Sequence, residues 1–327
     1  VNGGRRSHQG SNRAGTPHGA PLARLGQGDF EREIRPEDLD GSERRAHEID
    51  LGFLITEPAS VYHAKAKDNL SSHQLADFRR CPKLYRKRQL GLVPQRGSAA
   101  YALGRAAHVL ILEGRERFEA EFAVGGPINP KTGQPFGTQT KAFAEWAASV
   151  GRPVLSDADA ALLEQMRAGV HDHVFARELL RSGVAEGVVR AEYGGVPCQA
   201  RVDWINPVDG RGIVDLKTCS DLDEFERDVH RYGYLHQMAF YRELVVEACD
   251  VEFEVHLVEI EKREPYRCGV WQLSRRLLDR AADENLAAID ELTRCREHDI
   301  WKTRFESLRL IDIDSPAPSS THPQEHT

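Results

Sequence analysis

ARVDWINPVDGRGIVDLKT, residues 200–218, is the stretch whose reading decides the fold. Two runs of β-branched and apolar residues flank a Pro and two Gly, which is how two antiparallel strands joined by a short turn are written. Side chains alternate along a strand, so Asp215 and Lys217 project to one side while Val214 and Leu216 project to the other. If residues 208–210 form a three-residue loop with Gly210 in the left-handed conformation, Asp203 falls directly opposite Asp215. Two carboxylates a few ångströms apart repel, and burying both is costly unless a cation sits between them. Hard oxygen ligands of this kind suit Mg²⁺ or Mn²⁺. A lysine beside them could orient or deprotonate a water, or stabilise charge building on a phosphate. The bare D-x-K triplet fits a structural ion pair as well as a site, and it is the second carboxylate at hairpin distance that makes the two readings even.

Working outward, GVVRAEYGGVPCQARVDWINPVDGRGIVDLKT reads as a meander of about three strands from residue 187, alternating β-branched and polar residues between Gly turns. EVHLVEIEK and RCGVWQL add strands, and the segments VHRYGYLHQMAFYRELVVEAC and SRRLLDRAADENLAAIDELTRC add helices. Upstream the chain is mostly helical. LSSHQLADFRRCPKLYRKRQLG predicts a capped helix interrupted near Pro82, SAAYALGRAAHVLILEGRERFEAEF one longer helix, and TKAFAEWAASVG and SDADAALLEQMRAGVHDHVFARELL two more, the last capped by Ser156. GGPINPKTGQPFG reads as a loop. Together these predict a mixed α/β (α+β) fold, a central mixed sheet with the hairpin at its middle and helices around it.

The 327 residues carry a net charge of −7 and 40% hydrophobic residues. That balance argues against indiscriminate coating of nucleic acid, though it leaves room for a local basic groove beside an acidic metal site. No apolar run nears the roughly 18 residues of a membrane span, and no signal-peptide core stands at the N-terminus, so the cytoplasm and no membrane are expected. Six scattered cysteines without a C-x-x-C pair suggest reduced thiols and no structural zinc. Gly, Arg, Ser and Pro dominate residues 1–30, which read as disordered, as does the tail SPAPSSTHPQEHT. The expected organisation is an irregular tail over 1–50, one domain over 51–314 (51–185 mostly helical, 186–314 carrying the sheet and last helix) and a tail over 315–327.

Several ordered pieces resemble the PD-(D/E)xK nuclease superfamily, in its phage exonuclease VIII-like, RecB-like branch. Asp203 followed by IVDLK resembles the signature. LSSHQLADFRRCPKLYRKR resembles that group's N-terminal S-x-x-x-L-x-x-F-x-x-C-P-x-x-Y element, LGRAAHVLILEGRERFEAEF its helix with a metal-associated His, and YGYLHQMAFYRE its Q-x-x-x-Y pattern. The resemblance spans about residues 61–245, more loosely the segment to 314, and departs at Val202, where the superfamily is named for Pro.

The resemblance implies a restriction-endonuclease-like core and a metal-dependent 5′-to-3′ exonuclease on linear double-stranded DNA, working in phage-type recombination with a single-strand annealing protein and as a homo-oligomeric ring. It implies that His108, Asp203, Asp215 and the carbonyl of Leu216 hold Mg²⁺ or Mn²⁺, that Lys217 serves the attacking water, and that Gln237 and Tyr241, one helical turn apart, position the water or the DNA backbone. Some relatives with the C-P element hold an iron–sulfur cluster through clustered cysteines. Cys249, Cys268 and Cys295 are not clustered, so no cluster is expected. Arg79, Arg80, Lys83, Arg86, Lys87 and Arg88 are either a solvated helix face or a track for phosphates, and Arg105 is a weaker candidate for a terminal phosphate. Glu192 is a candidate for outer support of the site. His171 and His173 do not share a helix face and are not read as a metal pair. The alternatives are a Cas4-like or repair nuclease on single strands, and a DNA-end-binding module without catalysis.

Overall fold

The computed structural model describes residues 49–93, 99–208 and 211–310. The sequence readings over 1–48 and 311–327, and at Gly210, lie outside the described residues.

Five strands build the sheet: β3 (Val184–Tyr193), β4 (Val196–Asn206), β5 (Gly212–Cys219), β6 (Val255–Glu261) and β7 (Cys268–Gln272), in that spatial order. The pairings are antiparallel except β5 with β6, so the sheet is mixed, as expected. A small parallel pair, β1 (Ala123–Val124) with β2 (Val154–Leu155), is too short to have left a sequence pattern.

The helices are α1 (Ala59–Ala64), α2 (Ser72–Arg80), α3 (Pro82–Gln89), α4 (Ala99–His108), α5 (Arg115–Glu121), α6 (Lys141–Val150), α7 (Asp157–Asp172), α8 (Val174–Leu179), α9 (Phe225–Arg231), α10 (Tyr234–Cys249) and α11 (Arg275–His298). Ser71 and Ser156 each close a capping box, which fixes where α2 and α7 start. Pro82 stands at the first turn of α3, where its missing N–H costs nothing.

Helices cover both faces of the sheet. Ile213, Val255 and Leu257 pack into one core with α2, α10 and α11, through Leu75, Phe78, Met238, Phe240, Ile289 and Leu292. Val214, Leu216, Val258 and Ile260 pack into a second core with Ala107, Leu110, Leu163 and Met166. Every residue of β6 is therefore buried. Among the described residues no helix is long and apolar enough to cross a membrane.

Two long helices of the sequence reading are broken. The helix read over 98–122 ends its α-helical part at His108, continues as a π-helical turn over Val109–Glu113, and stops at Gly114, whose φ of +89° only glycine adopts easily. The helix read over 156–180 breaks at His173, whose Nδ1 accepts the Ala176 N–H at 3.3 Å and caps α8. Amphipathic periodicity runs through both breaks, so it could not reveal them.

Candidate metal and phosphodiester site

The site begins with two turns that set register. β3 and β4 are joined by Gly194–Gly195, both with positive φ, which is the two-residue hairpin whose twist matches the strands. Tyr193 pairs with Val196, and the same register carries Ala185 opposite Trp204 and Gly187 opposite Val202, leaving Glu186 across from Asp203. On the other side of β4 the paired residues are Asn206 with Gly212, Ile205 with Ile213 and Trp204 with Val214. This is the register expected from the sequence. The positive-φ glycine in the described part of the connection is Gly212 (φ +56°), where a Cβ would stand 2.2 Å from the Glu254 carbonyl.

Beyond Trp204 and Val214 the β4–β5 ladder opens, while β5 stays paired to β6 as far as Cys219. The next two residues on either side of the opening are Asp203 and Asp215. Freed from strand pairing, the Leu216 N–H donates to Asp203 Oδ2 at 3.0 Å, and the Leu216 carbonyl lies 2.6 Å from His108 Nε2. His108 Nε2 is 3.7 Å from Asp203 Oδ2. His108, Asp203 and the Leu216 carbonyl thus meet at one point, brought together from α4, β4 and β5.

A residue not singled out from the sequence completes the group. Ligand atoms of His108, Glu186 and Asp203 all lie within 4.8 Å of one another. Glu186 takes φ +57°, an uncommon conformation for a non-glycine residue in a strand. Burial first, and then the Asp203 charge, push its carboxyl up to about 8, with Arg201 at 2.6 Å pulling the other way. A carboxylate so penalised is one that a cation would stabilise. Glu192, the residue considered from the sequence, is exposed and lies away from this group. The signal that could have found Glu186 was the Gly-Gly turn, which counts back to residue 186 opposite 203.

Asp215 is fully buried and stands slightly apart. Its Oδ2 pairs with Lys217 Nζ and its Oδ1 accepts from Gln237 Nε2 at 3.2 Å, which also reaches Tyr241 Oη at 3.1 Å. Burial pushes the Asp215 carboxyl above its usual range despite Lys217. Burial also opposes the Lys217 charge, but Asp215 and Asp203 outweigh it and hold the amine above the ordinary lysine range. The Tyr234 ring lies 4.9 Å from Nζ. The α10 pair Gln237 and Tyr241 thus touches Asp215 directly, and the charges of Asp215 and Lys217 form both an ion pair and one wall of the site.

The basic residues fall into two sets. Arg79 donates to Asn285 Oδ1 at 2.7 Å, Arg86 reaches Asp299 at 3.7 Å and covers the Trp301 ring, Arg88 pairs with Asp77, and Arg105 pairs with Glu121 at 2.7 Å and covers the Phe122 ring. Arg80, Lys83 and Lys87 are exposed, with no ion pair among the described residues.

A family profile described as a PDDEXK-like domain of unknown function (DUF3799) matches residues 71–312. The chain belongs to this PDDEXK-like family. The domain resembles the crystal structure of a candidate exonuclease from Eubacterium rectale, with a TM-score of 0.57 and 15% identity over 79% of this chain and 96% of that one. This likeness shows that the PDDEXK-like domain has a nuclease fold. An alkaline exonuclease (LHK-Exo) from Laribacter hongkongensis aligns with a TM-score of 0.31 and 13% identity over 73% of this chain and 95% of that one. Its complex with dAMP aligns at 0.25 and 16%, over 59% and 89%. None of the curated proteins matches the chain.

The donor set fits a hard divalent ion. It offers two carboxylates, a backbone carbonyl and one imidazole at a single point, with the negative charges partly buried and uncompensated.

Proposed function

We propose that this protein is a divalent-metal-dependent deoxyribonuclease that hydrolyses phosphodiester bonds without a covalent intermediate. The carrying observation is the convergence of His108, Glu186, Asp203 and the Leu216 carbonyl at the open end of the β4–β5 ladder, next to the Lys217–Asp215 pair. His108, Asp203, Glu186 and Leu216 would hold Mg²⁺ or Mn²⁺, and Asp215 joins them once its Oδ2 is free. A bound divalent ion supplies charge for the scissile phosphate and lowers the pKa of a water.

The chain's own residues do the rest. Asp203 holds the Leu216 N–H and so fixes the direction of the Leu216 carbonyl. Lys217 presents an ammonium where negative charge develops in the transition state. Gln237, braced by Tyr241, keeps Asp215 in place. Arg80, Lys83 and Lys87 are free to meet phosphates, and Arg79, Arg86, Arg88 and Arg105 can do so only by exchanging their present partners.

The sequence resemblance favours 5′-to-3′ exonuclease action on linear duplex ends in phage-type recombination, with a single-strand annealing protein as partner and a ring as the working assembly. The test is a linear duplex with distinct labels at its 5′ and 3′ ends, incubated with Mg²⁺ or EDTA. Release of 5′ label as mononucleotides, metal-dependent and abolished by Asp203→Asn and Lys217→Ala, is the expected result. Intact DNA with every divalent ion, while binding to ends persists, would make the protein an end-binding module instead.

A further inference from the structure

Glu259 is a buried carboxylate that the chemistry above leaves unused. It lies in the middle of β6, directly across the parallel ladder from Lys217, so both side chains leave the same face of neighbouring strands about 4.8 Å apart. Glu259 is 2% exposed, and its Oε2 has no hydrogen-bond donor among the described residues. The Cys219 thiol lies against the carboxylate. On the other side stands Gly269 of β7, and the Trp271 ring fills the place of a Cβ there, 2.4 Å from where that atom would be. The carboxylate is therefore walled in on every side but that of Lys217.

Lys217 has the complementary deficit. An ammonium carries three N–H donors, and here it meets Asp215 Oδ2 and the face of Tyr234. A donor short of acceptors stands across the ladder from an acceptor short of donors.

Asp215, meanwhile, has both oxygens engaged, one by Lys217 and one by Gln237. Asp215 can turn Oδ2 toward a cation only if Lys217 lets go. A lysine released into a pocket this closed needs another carboxylate at once. We propose that Glu259 is a positioning residue that takes over the Lys217 ammonium, so that Asp215 is released to the cation while Lys217 stays beside the scissile phosphate. The inference rests on the metal-dependent reading above and adds a hand-over of one lysine between two carboxylates.

The experiment compares wild type with Glu259→Gln, which keeps the shape and removes the charge, and Glu259→Asp, which keeps the charge on a shorter stem. The first readout needs no DNA. The Lys217 side-chain resonance, in protein labelled at lysine Cε and assigned by Lys217→Arg, is followed by NMR with and without Mg²⁺, and Mg²⁺ affinity is measured by calorimetry. The Lys217 resonance moves on Mg²⁺ addition in wild type and stays fixed in Glu259→Gln, and Mg²⁺ affinity falls about tenfold, the scale for outer residues around a metal site. In single-turnover cleavage kcat falls on the same scale with KM for DNA unchanged, and Glu259→Asp recovers part of both losses.

Wild-type Lys217 behaviour and Mg²⁺ affinity in a folded Glu259→Gln protein would overturn the inference and leave the nuclease reading intact. If wild type binds Mg²⁺ and cuts no DNA, the nuclease reading falls, while the Lys217 response still decides the hand-over. Should Glu259→Gln fail to fold, the same comparison in Glu259→Asp decides, an unaltered Lys217 response and Mg²⁺ affinity counting against it.

Discussion

Replacing Lys217 by Met removes the cation paired with a fully buried carboxylate and leaves the rest of the packing nearly unchanged. Asp215 is 0% exposed, and its one remaining hydrogen bond of note comes from Gln237. An ionised, unpaired carboxylate in that position would cost more than protonation does, so the group takes up a proton. The ceiling on the penalty at pH 7 is then the cost of protonating an ordinary aspartate, about 1.4 kcal/mol for each of the roughly three pH units above its normal value near 3.9. That gives about 4 kcal/mol. Burial already raises the carboxyl in wild type, so part of this cost is present before the substitution, and the expected loss is about 3 kcal/mol.

The sign follows from linkage. A carboxyl whose folded pKa is raised destabilises the fold increasingly as pH climbs above the unfolded value, until the folded pKa is reached. The penalty of Lys217→Met should therefore shrink as pH falls from 7 and nearly vanish near pH 4. Asp215→Asn/Lys217→Met should recover most of it, because the amide needs no cation. Urea unfolding in EDTA at several pH values measures all three proteins. A Lys217→Met penalty under about 1 kcal/mol at pH 7, the size of an exposed ion pair, or one that does not change with pH, would refute the reasoning.

Three other expectations are more direct. Glu186→Gln should weaken Mg²⁺ or Mn²⁺ binding at least about tenfold by calorimetry, since it removes a charged ligand rather than an outer support, and should leave the melting temperature without metal unchanged or higher. Charge reversal at Arg80, Lys83 and Lys87 should reduce DNA affinity in a catalytically inactive background and flatten the log–log salt slope by about 0.9 for each phosphate no longer neutralised, read by fluorescence anisotropy. Far from the site, Arg267 and the Leu222 N–H hold the buried Glu261 carboxyl down at about 2, so the stability it contributes is present above its unfolded value near 4.5 and is lost as pH falls toward 2. Arg267→Leu should cost roughly 2–3 kcal/mol at pH 7 and correspondingly less in acid, measured by chemical denaturation.

What the sequence showed of the site was set by strand geometry. Asp203, Asp215 and Lys217 were legible because a period of two and one turn are enough to place them, and the strand pairing agrees with that count. Gln237 and Tyr241 were legible as a helical pair. Glu186 was hidden because its conformation breaks the alternation on which strand reading depends, and only the register from the Gly-Gly turn points to it. Glu259 was hidden for a different reason. EVHLVEIEK is an ordinary alternating strand on paper, and its glutamate is unusual only because β7 and α10 leave no water on that face. The basic helix α3 was plain as composition, but which of its cations are free depends on Asp77, Asp299 and Trp301, two of them more than two hundred residues away in the chain.

The π-helical turn after His108 also restricts how this chain can change length. A turn closed by i to i+5 bonds holds one residue more than the α-helix around it, so the helix carries an offset of about 100° across Val109–Glu113. That offset lets His108 face the open end of the β4–β5 ladder while Val109, Leu110 and Leu112 still fill the core behind it. Deleting one residue there would restore a continuous α-helix and bring the two halves into phase, so that either the imidazole or the leucines point the wrong way. Lengths elsewhere along the surface can drift over generations, but this five-residue turn has a fixed count, and an intact count here is a simple criterion for sorting related chains that keep the imidazole from those that have lost it.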